Sequence, residues 1–209
     1  LREDWRVGRV IARPFLGSEG HYRFSNSGRK DYAIKPPKTT ILDELSENNY
    51  NVIAIGKIND IFDGAGINKS IKASNNMEAI NKLTNIMDKS FTGLCMVNLA
   101  DFDGLYGHTR DVEGYAKALE ELDVEIPMIL NKLELDDLLI ITADHGNDPT
   151  FDGCDHTREN VPVILYSRAF TEPKRLKELN TLADIGATIA NNFDIKKPEV
   201  GQSILENLK

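Results

Sequence analysis

The residues of this chain best suited to chemistry stand in two short stretches. ITADHGNDPTFDGCDHTREN (141–160) carries Asp144, His145, Asp148, Asp152, Asp155 and His156, and NLADFDGLYGH (98–108) carries Asp101, Asp103 and His108. Three of the four histidines lie here, the exception being His21. Carboxylate oxygens mixed with imidazole nitrogens suit zinc, manganese or iron, whereas calcium prefers oxygen donors alone. The candidates Asp103, His108, Asp144, His145 and His156 are more than one structural zinc requires, which points to more than one ion. A single DHGND loop is ordinary cap and turn chemistry, since Asp serves both and Gly146 supplies turn freedom. Two such stretches acting together make metal binding the better reading.

Both stretches follow apolar runs of strand length, GLCMVNLAD (93–101) and DLLIITAD (137–144), and NVIAIG (51–56) and VPVILYS (161–167) read as strands on the same ground. Helical spacing separates them. TTILDELSENN offers Thr40 as a cap. In NNMEAINKLTNIMDK the apolar positions Met77, Ile80, Leu83, Ile86 and Met87 recur at helical period, with Asn75 and Glu78 set as a capping box. Residues 112–133 repeat Tyr115, Leu119, Leu122, Ile126, Leu130 and Leu133 at threes and fours, predicting a long amphipathic helix bent or interrupted at Pro127. Thr181 and Asp184 open a last helix with Leu182, Ile185, Ile189 and Phe193 on its apolar face. Strands apolar on both faces, alternating with helices, predict an α/β fold with a mostly parallel sheet flanked by helices. Such folds bind ligands at the carboxyl ends of their strands, where residues remote in sequence converge.

The totals are consistent with that reading. At 209 residues and 41% hydrophobic, the chain is long enough for one sizeable core and a smaller appendage. Twenty-five basic against thirty-three acidic side chains give a net charge of −8, and no basic stripe is visible. Nucleic acid is therefore not an expected partner, and an anionic substrate would need local cations to hold it. No run approaches the roughly 18 apolar residues of a membrane span, so a soluble chain with no membrane partner is expected. It begins LREDWRVGRV, with neither a methionine nor a basic-then-apolar leader, so a secretory signal is not expected and the chain reads as part of a longer protein. Cys95 sits in an apolar run and Cys154 in a polar loop, which argues against a mutual bridge and for a cytoplasmic location. The first thirty-odd residues are basic and glycine-bearing, strand-and-loop material suited to the end of a separate domain. KPPK (35–38) reads as a linker, dividing residues 1–34 from 35–209.

The ligand pattern resembles the alkaline phosphatase superfamily, and the surrounding sequence is similar to one of its families, the phosphopentomutases. The matching stretches are GRVIARPFLG, DYAIKPP, AIGKINDIFDG, NLADFDGLYGH, ITADHGNDPT, DHTRENVP and ADIGATIANNF, in family order over nearly the whole chain. The resemblance implies that residues 35–209 are the carboxy-terminal half of an incomplete alkaline phosphatase-like core, and residues 1–34 the end of a small inserted α+β cap domain. It implies interconversion of ribose or deoxyribose 1-phosphate and the 5-phosphate through a phosphothreonine enzyme and a 1,5-bisphosphate, with two Mn2+ ions and a sugar bisphosphate activator. Asp103, His108 and His156 would hold one metal, and Asp144 and His145 part of the other. The family's remaining aspartate ligand and its nucleophilic threonine lie in an earlier region that this chain does not contain. No catalytic nucleophile is thus expected here. The chain is expected to be inactive alone and to need the missing amino-terminal part of the same protein, with a pentose phosphate as substrate. Missing strands would leave an apolar edge prone to association.

Substrate contacts are expected from Arg9, Arg23 and Lys57. A guanidinium matches phosphate oxygens bidentately, so Arg9, Arg13 and Arg23 suit the distal phosphate, Arg9 being preferred. Lys57, at the carboxyl end of NVIAIG, suits the transferring phosphate. Cys154 stands where the family has threonine and reads as a small neutral substitute beside the ligands. Asp101 and Asp148 either orient metal-bound histidines or stabilise turns. Two alternatives stand beside the leading reading: an enzyme like cofactor-independent phosphoglycerate mutase, and a non-catalytic metal-binding module.

Overall fold

The computed structural model describes residues 5, 7–25, 28 and 30–208. The amino-terminal segment forms two antiparallel ribbons, β1 (Arg9–Ala12) with β4 (Lys30–Ala33) and β2 (Phe15–Leu16) with β3 (Arg23–Phe24). Phe15, Leu16, Tyr22 and Tyr32 are exposed on them. Beyond the proline pair, helix α1 (Ile41–Glu47) starts at Thr40 with a reciprocal capping box. The Thr40 hydroxyl accepts from the Asp43 amide, and the Asp43 carboxylate accepts from the Thr40 amide.

Strand β5 (Asn51–Ile55) buries Val52, Ile53, Ala54 and Ile55, so it has apolar side chains on both faces. The short helix α2 (Ile58–Ile61) and strand β6 (Lys69–Ile71) follow, then α3 (Asn76–Met87) and β7 (Gly93–Val97). β5 lies between β6 and β7, and both pairings are parallel. The period-two alternation of strand side chains divides the core. Ile53 and Ile55 pack with Ala79 and Ile86 of α3, joined by Cys95 and Val97. Val52 faces the other way, onto Leu42 and Leu45 of α1, with Leu94, Ile189 and Phe193 against them. Leu42 and Leu45 are fully buried, each contributing about 2 kcal/mol by removal from water. This is an α/β architecture with a parallel sheet flanked by helices.

Helix α4 (Val112–Lys132), the antiparallel pair β8 (Leu139–Thr142) and β9 (Val163–Tyr166), and helix α5 (Ala183–Asn192) complete the elements that matter here. The sequence placed β8 and β9 in one mostly parallel sheet. They instead pair with each other, Ile141 opposite Ile164, apart from the three-stranded sheet. An apolar run carries no direction. The 143–162 connection turns the chain back through the Gly146–Thr157 bridge, and that reversal sets β9 antiparallel.

One further strand carried no expectation, and two smaller expectations change. Strand β6 reads KSI, too short and polar to show a period, and forms because β5 offers it an edge. Helix α4 runs uninterrupted through Pro127. Proline removes the bond to the carbonyl of Asp123, at a cost of roughly 3 kcal/mol in a helix interior. Both residues lie on the exposed side, while Ile129 and Leu133 beyond the proline are buried and hold the helix to the core. At the start of α3, the Asn75 side chain accepts from the Glu78 amide, but the Glu78 carboxylate reaches the Ser74 amide rather than that of Asn75.

Candidate metal centre

Strand β7 ends at Val97, and the chain passes into a π-helical turn, Phe102–Gly107. That turn decides the relation of Asp103 to His108. In an α-helix, residues five apart point about 140° away from each other. Here the His108 amide donates to the Asp103 carbonyl at 3.0 Å, and the His108 Nε2 lies 3.4 Å from Asp103 Oδ1. Single π turns inside helices recur at functional sites.

The second set of groups comes from the connection after β8. Gly146 and Thr157 bridge it, with the Thr157 amide donating to the Gly146 carbonyl at 3.1 Å. The Thr157 hydroxyl accepts from the Asp148 amide and donates to Glu159 Oε2. A side chain at position 146 is crowded by the bridge itself, because a Cβ there would meet the Thr157 carbonyl oxygen at 2.8 Å. The bridge returns His156 toward His145: their rings stack with centroids 3.7 Å apart and an interplanar angle of 17°. His156 Nε2 lies 3.1 Å from Asp103 Oδ1, and the His108 ring stacks on that of His156 at 4.9 Å.

Asp103, His145 and His156 thus offer ligand atoms that all lie within 4.8 Å of one another. His108 adjoins this group through Asp103. Its Nδ1 lies 2.6 Å from the carbonyl of Cys154, which turns Nε2 toward Asp103. Asp144 stands apart: its side chain is 75% exposed, with Oδ2 3.7 Å from His145 Nε2. Burial pushes the Asp103 acid upward. The hydrogen bond from Asn147 and the neighbouring His108, His156 and His145 outweigh it and hold the carboxyl below its ordinary value. One carboxylate with converging imidazoles is a donor set that fits a divalent cation of the zinc, manganese or iron class.

Other expectations fall elsewhere. Asp101 does not reach a histidine. Its carboxylate accepts from the Asn76 amide at 2.7 Å and its own amide donates to Asn76 Oδ1, so it pins the start of α3 to the end of β7. Asp148 accepts from the Thr150 amide and hydroxyl, a turn role. Asp152 and Asp155 are exposed. Arg9 makes a 3.0 Å ion pair with Asp31 on the neighbouring strand, and Arg13 and Arg23 are exposed. Lys57 is separated from β5 by Gly56 alone and is half-buried at the start of α2. Sequence reasoning missed Asn147, which donates to Asp103 Oδ1 at 2.8 Å, and Arg110, which donates to Asn147 Oδ1 at 2.6 Å. Their only signal was position, each two residues beyond a candidate histidine.

Comparison with known proteins adds to this geometry. Residues 17–197 match the family described as the Metalloenzyme superfamily. The chain belongs to that superfamily. Both strand-end stretches lie inside the matched Metalloenzyme region, and Arg9 and Arg13 precede it. Over its whole length the chain is 51% identical to a protein named phosphopentomutase from Clostridium perfringens (strain 13 / Type A) and 52% identical to one from Clostridium tetani (strain Massachusetts / E88). A phosphopentomutase of Clostridium perfringens (strain SM101 / Type A) is 50% identical. The chain spans 53% of the length of each of these relatives. Among the described residues, no helix is long and apolar enough to cross a membrane.

Proposed function

We propose that this chain is the carboxy-terminal part of a phosphopentomutase, a cytoplasmic isomerase interconverting (deoxy)ribose 1-phosphate and (deoxy)ribose 5-phosphate. The observation that carries the reading is the convergence of Asp103, His145 and His156 within 4.8 Å, in a chain half-identical from end to end to proteins of that name. Residues 35–209 then form the metal-binding half of the core, and residues 1–34 the end of a cap domain.

In this reading Asp103, His108 and His156 hold one divalent cation, and Asp144 and His145 contribute to a second site completed by the amino-terminal part. Two Mn2+ ions bound there would neutralise phosphoryl charge and lower the pKa of an attacking hydroxyl. The chain's own residues orient this site. The Cys154 carbonyl directs His108, Asn147 holds Asp103, and the Gly146–Thr157 bridge returns His156 to its partners. Asp144, exposed on this chain and 3.7 Å from His145 Nε2, would be free to take up a metal with a further ligand. Arg9, Arg23 and Lys57 would bind phosphate oxygens, and Arg9 would exchange its Asp31 partner for that task.

The phosphoryl group would pass from a phosphothreonine of the amino-terminal part to the free sugar hydroxyl, giving a 1,5-bisphosphate. The other phosphate would then return to the threonine, leaving the isomeric monophosphate. A sugar bisphosphate activator would prime the threonine.

The test is a mutase assay with ribose 5-phosphate and manganese, on this chain alone and on the full-length protein, each with and without His156→Ala. Activity in the full-length protein, lost in the variant and absent from the isolated chain, is expected. A full-length protein silent toward pentose phosphates but active on phosphoglycerates would transfer the assignment to that mutase class. A full-length protein that binds metal and turns over neither would leave a non-catalytic metal-binding module.

A further inference from the structure

The groups gathered at the candidate centre come from two loops with no strand pairing between them, the 98–110 loop after β7 and the 143–162 connection after β8. Their polar backbone groups need partners, and so does their mutual position. One side chain serves both needs. Arg110 donates from Nε to the Gly153 carbonyl at 2.5 Å, from Nη1 to the Gly107 carbonyl at 2.7 Å and Asn147 Oδ1 at 2.6 Å, and from Nη2 to the Asp155 carbonyl at 2.7 Å. None of these acceptors is a carboxylate. Three belong to a residue beside, or bonded to, a candidate ligand: Gly107 precedes His108, Asp155 precedes His156, and Asn147 holds Asp103. The fourth, Gly153, precedes Cys154, whose carbonyl meets His108 Nδ1.

The Asn147 link has a direction. An amide presents an acceptor on one side and donors on the other. With Arg110 at its Oδ1, Asn147 must turn Nδ2 toward Asp103, where it donates to Oδ1, the oxygen facing both His108 and His156. The site is shaped for this amide. Asn147 is buried, and a Cβ at Gly107 would meet its Nδ2 at 2.5 Å. Arg110 itself has φ of 59°, a left-handed backbone that ordinary side chains rarely adopt. Its fork of fixed donors makes it difficult to replace: a lysine ammonium on a flexible stem cannot meet four acceptors spread around a plane.

We propose that Arg110 and Asn147 act as a positioning relay, in which one guanidinium clamps the 153–155 turn onto the 103–108 turn and sets the Asn147 amide that orients Asp103. The proposal rests on the metal reading above. It assigns neither residue a contact with substrate.

The experiment is calorimetric titration of the full-length protein with Mn2+, beside the visible spectrum of the Co2+ form and the melting temperature of the metal-free form. The variants are Arg110→Ala, Arg110→Lys, Asn147→Ala and the double alanine variant. Loss of an outer partner commonly weakens metal affinity about 10–100-fold. That loss is expected for each single variant, with Arg110→Lys no better than Arg110→Ala, a changed Co2+ spectrum, and a double variant little worse than either alone. Should Arg110→Ala not fold, Asn147→Ala decides alone. Affinity and spectrum restored by lysine would overturn the relay, as would variants that melt earlier but bind metal like the unsubstituted protein. An unsubstituted protein that binds no metal would overturn the metal reading and the relay together; normal binding with unimpaired variants would overturn the relay only.

Discussion

His156 stacks on His145, ring centroids 3.7 Å apart, while its Nε2 points at Asp103 from 3.1 Å. The first contact closes the connection after β8 on itself and the second joins it to the loop after β7, and His156 is the residue they share. Replacing it by alanine in the full-length protein is expected to weaken Mn2+ binding by more than the roughly 10–100-fold typical of removing an outer partner. A melting scan supplies the check. With metal 100-fold above its dissociation constant, occupancy adds about 2.7 kcal/mol, which a chelator should remove from the unsubstituted protein and not from the variant.

Asp103 sets an acid limit. Its carboxyl is held below the ordinary value, so its contribution to stability is fully present above the unfolded value of about 3.9 and is lost as pH falls through the lower folded value. Asp103→Asn has no such titration. In metal-free protein the unsubstituted form should melt higher than the variant at pH 7, with the gap closing below about pH 4. A gap constant down to pH 2 would refute the assignment.

The two cysteines should differ sharply in reactivity. Burial pushes the Cys95 thiol up to about 11, with Lys69 opposing only in part, whereas Cys154 is exposed. At pH 8 the thiolate fraction of Cys95 is then about one in a thousand. Brief alkylation followed by peptide mapping should modify Cys154 and spare Cys95 until the protein is unfolded. Equal modification of both in the native state would contradict the packing of β7.

Gly93 opens β7 directly opposite Asn51 of β5, with φ of 147°. A Cβ there would stand 2.0 Å from the Asn51 carbonyl oxygen and 2.6 Å from its amide nitrogen, both backbone atoms of the partner strand. Gly93→Ala is expected to cost about 2–4 kcal/mol, combining backbone strain with overpacking. Chemical denaturation should show the midpoint falling with little change in slope.

Legibility in the sequence followed the range of each interaction. The apolar runs of β5, β7, β8 and β9 and the spacing of α3 and α5 were readable because each signal lies within one element. β6 was not, since its polar KSI acquires strand form only from the edge of β5. For Asp101 the strand-end position left histidine orientation and turn stabilisation equally open, and the structure has it bonded to Asn76.

The sequence by itself determined which donors were available and where: Asp103 and His108 behind one apolar run, Asp144 and His145 behind another, and His156 in the polar connection that follows. Those are properties of residue type and local period, which a chain carries before it folds. Tertiary structure alone decided that β9 runs against β8, that a π turn sets His108 over Asp103, and that Asp103, His145 and His156 gather while Asp144 stays exposed. It also made Arg110 and Asn147 partners across two loops. Distances of this kind depend on how loops close and which backbone groups must share a donor, and no local pattern of residue types encodes them.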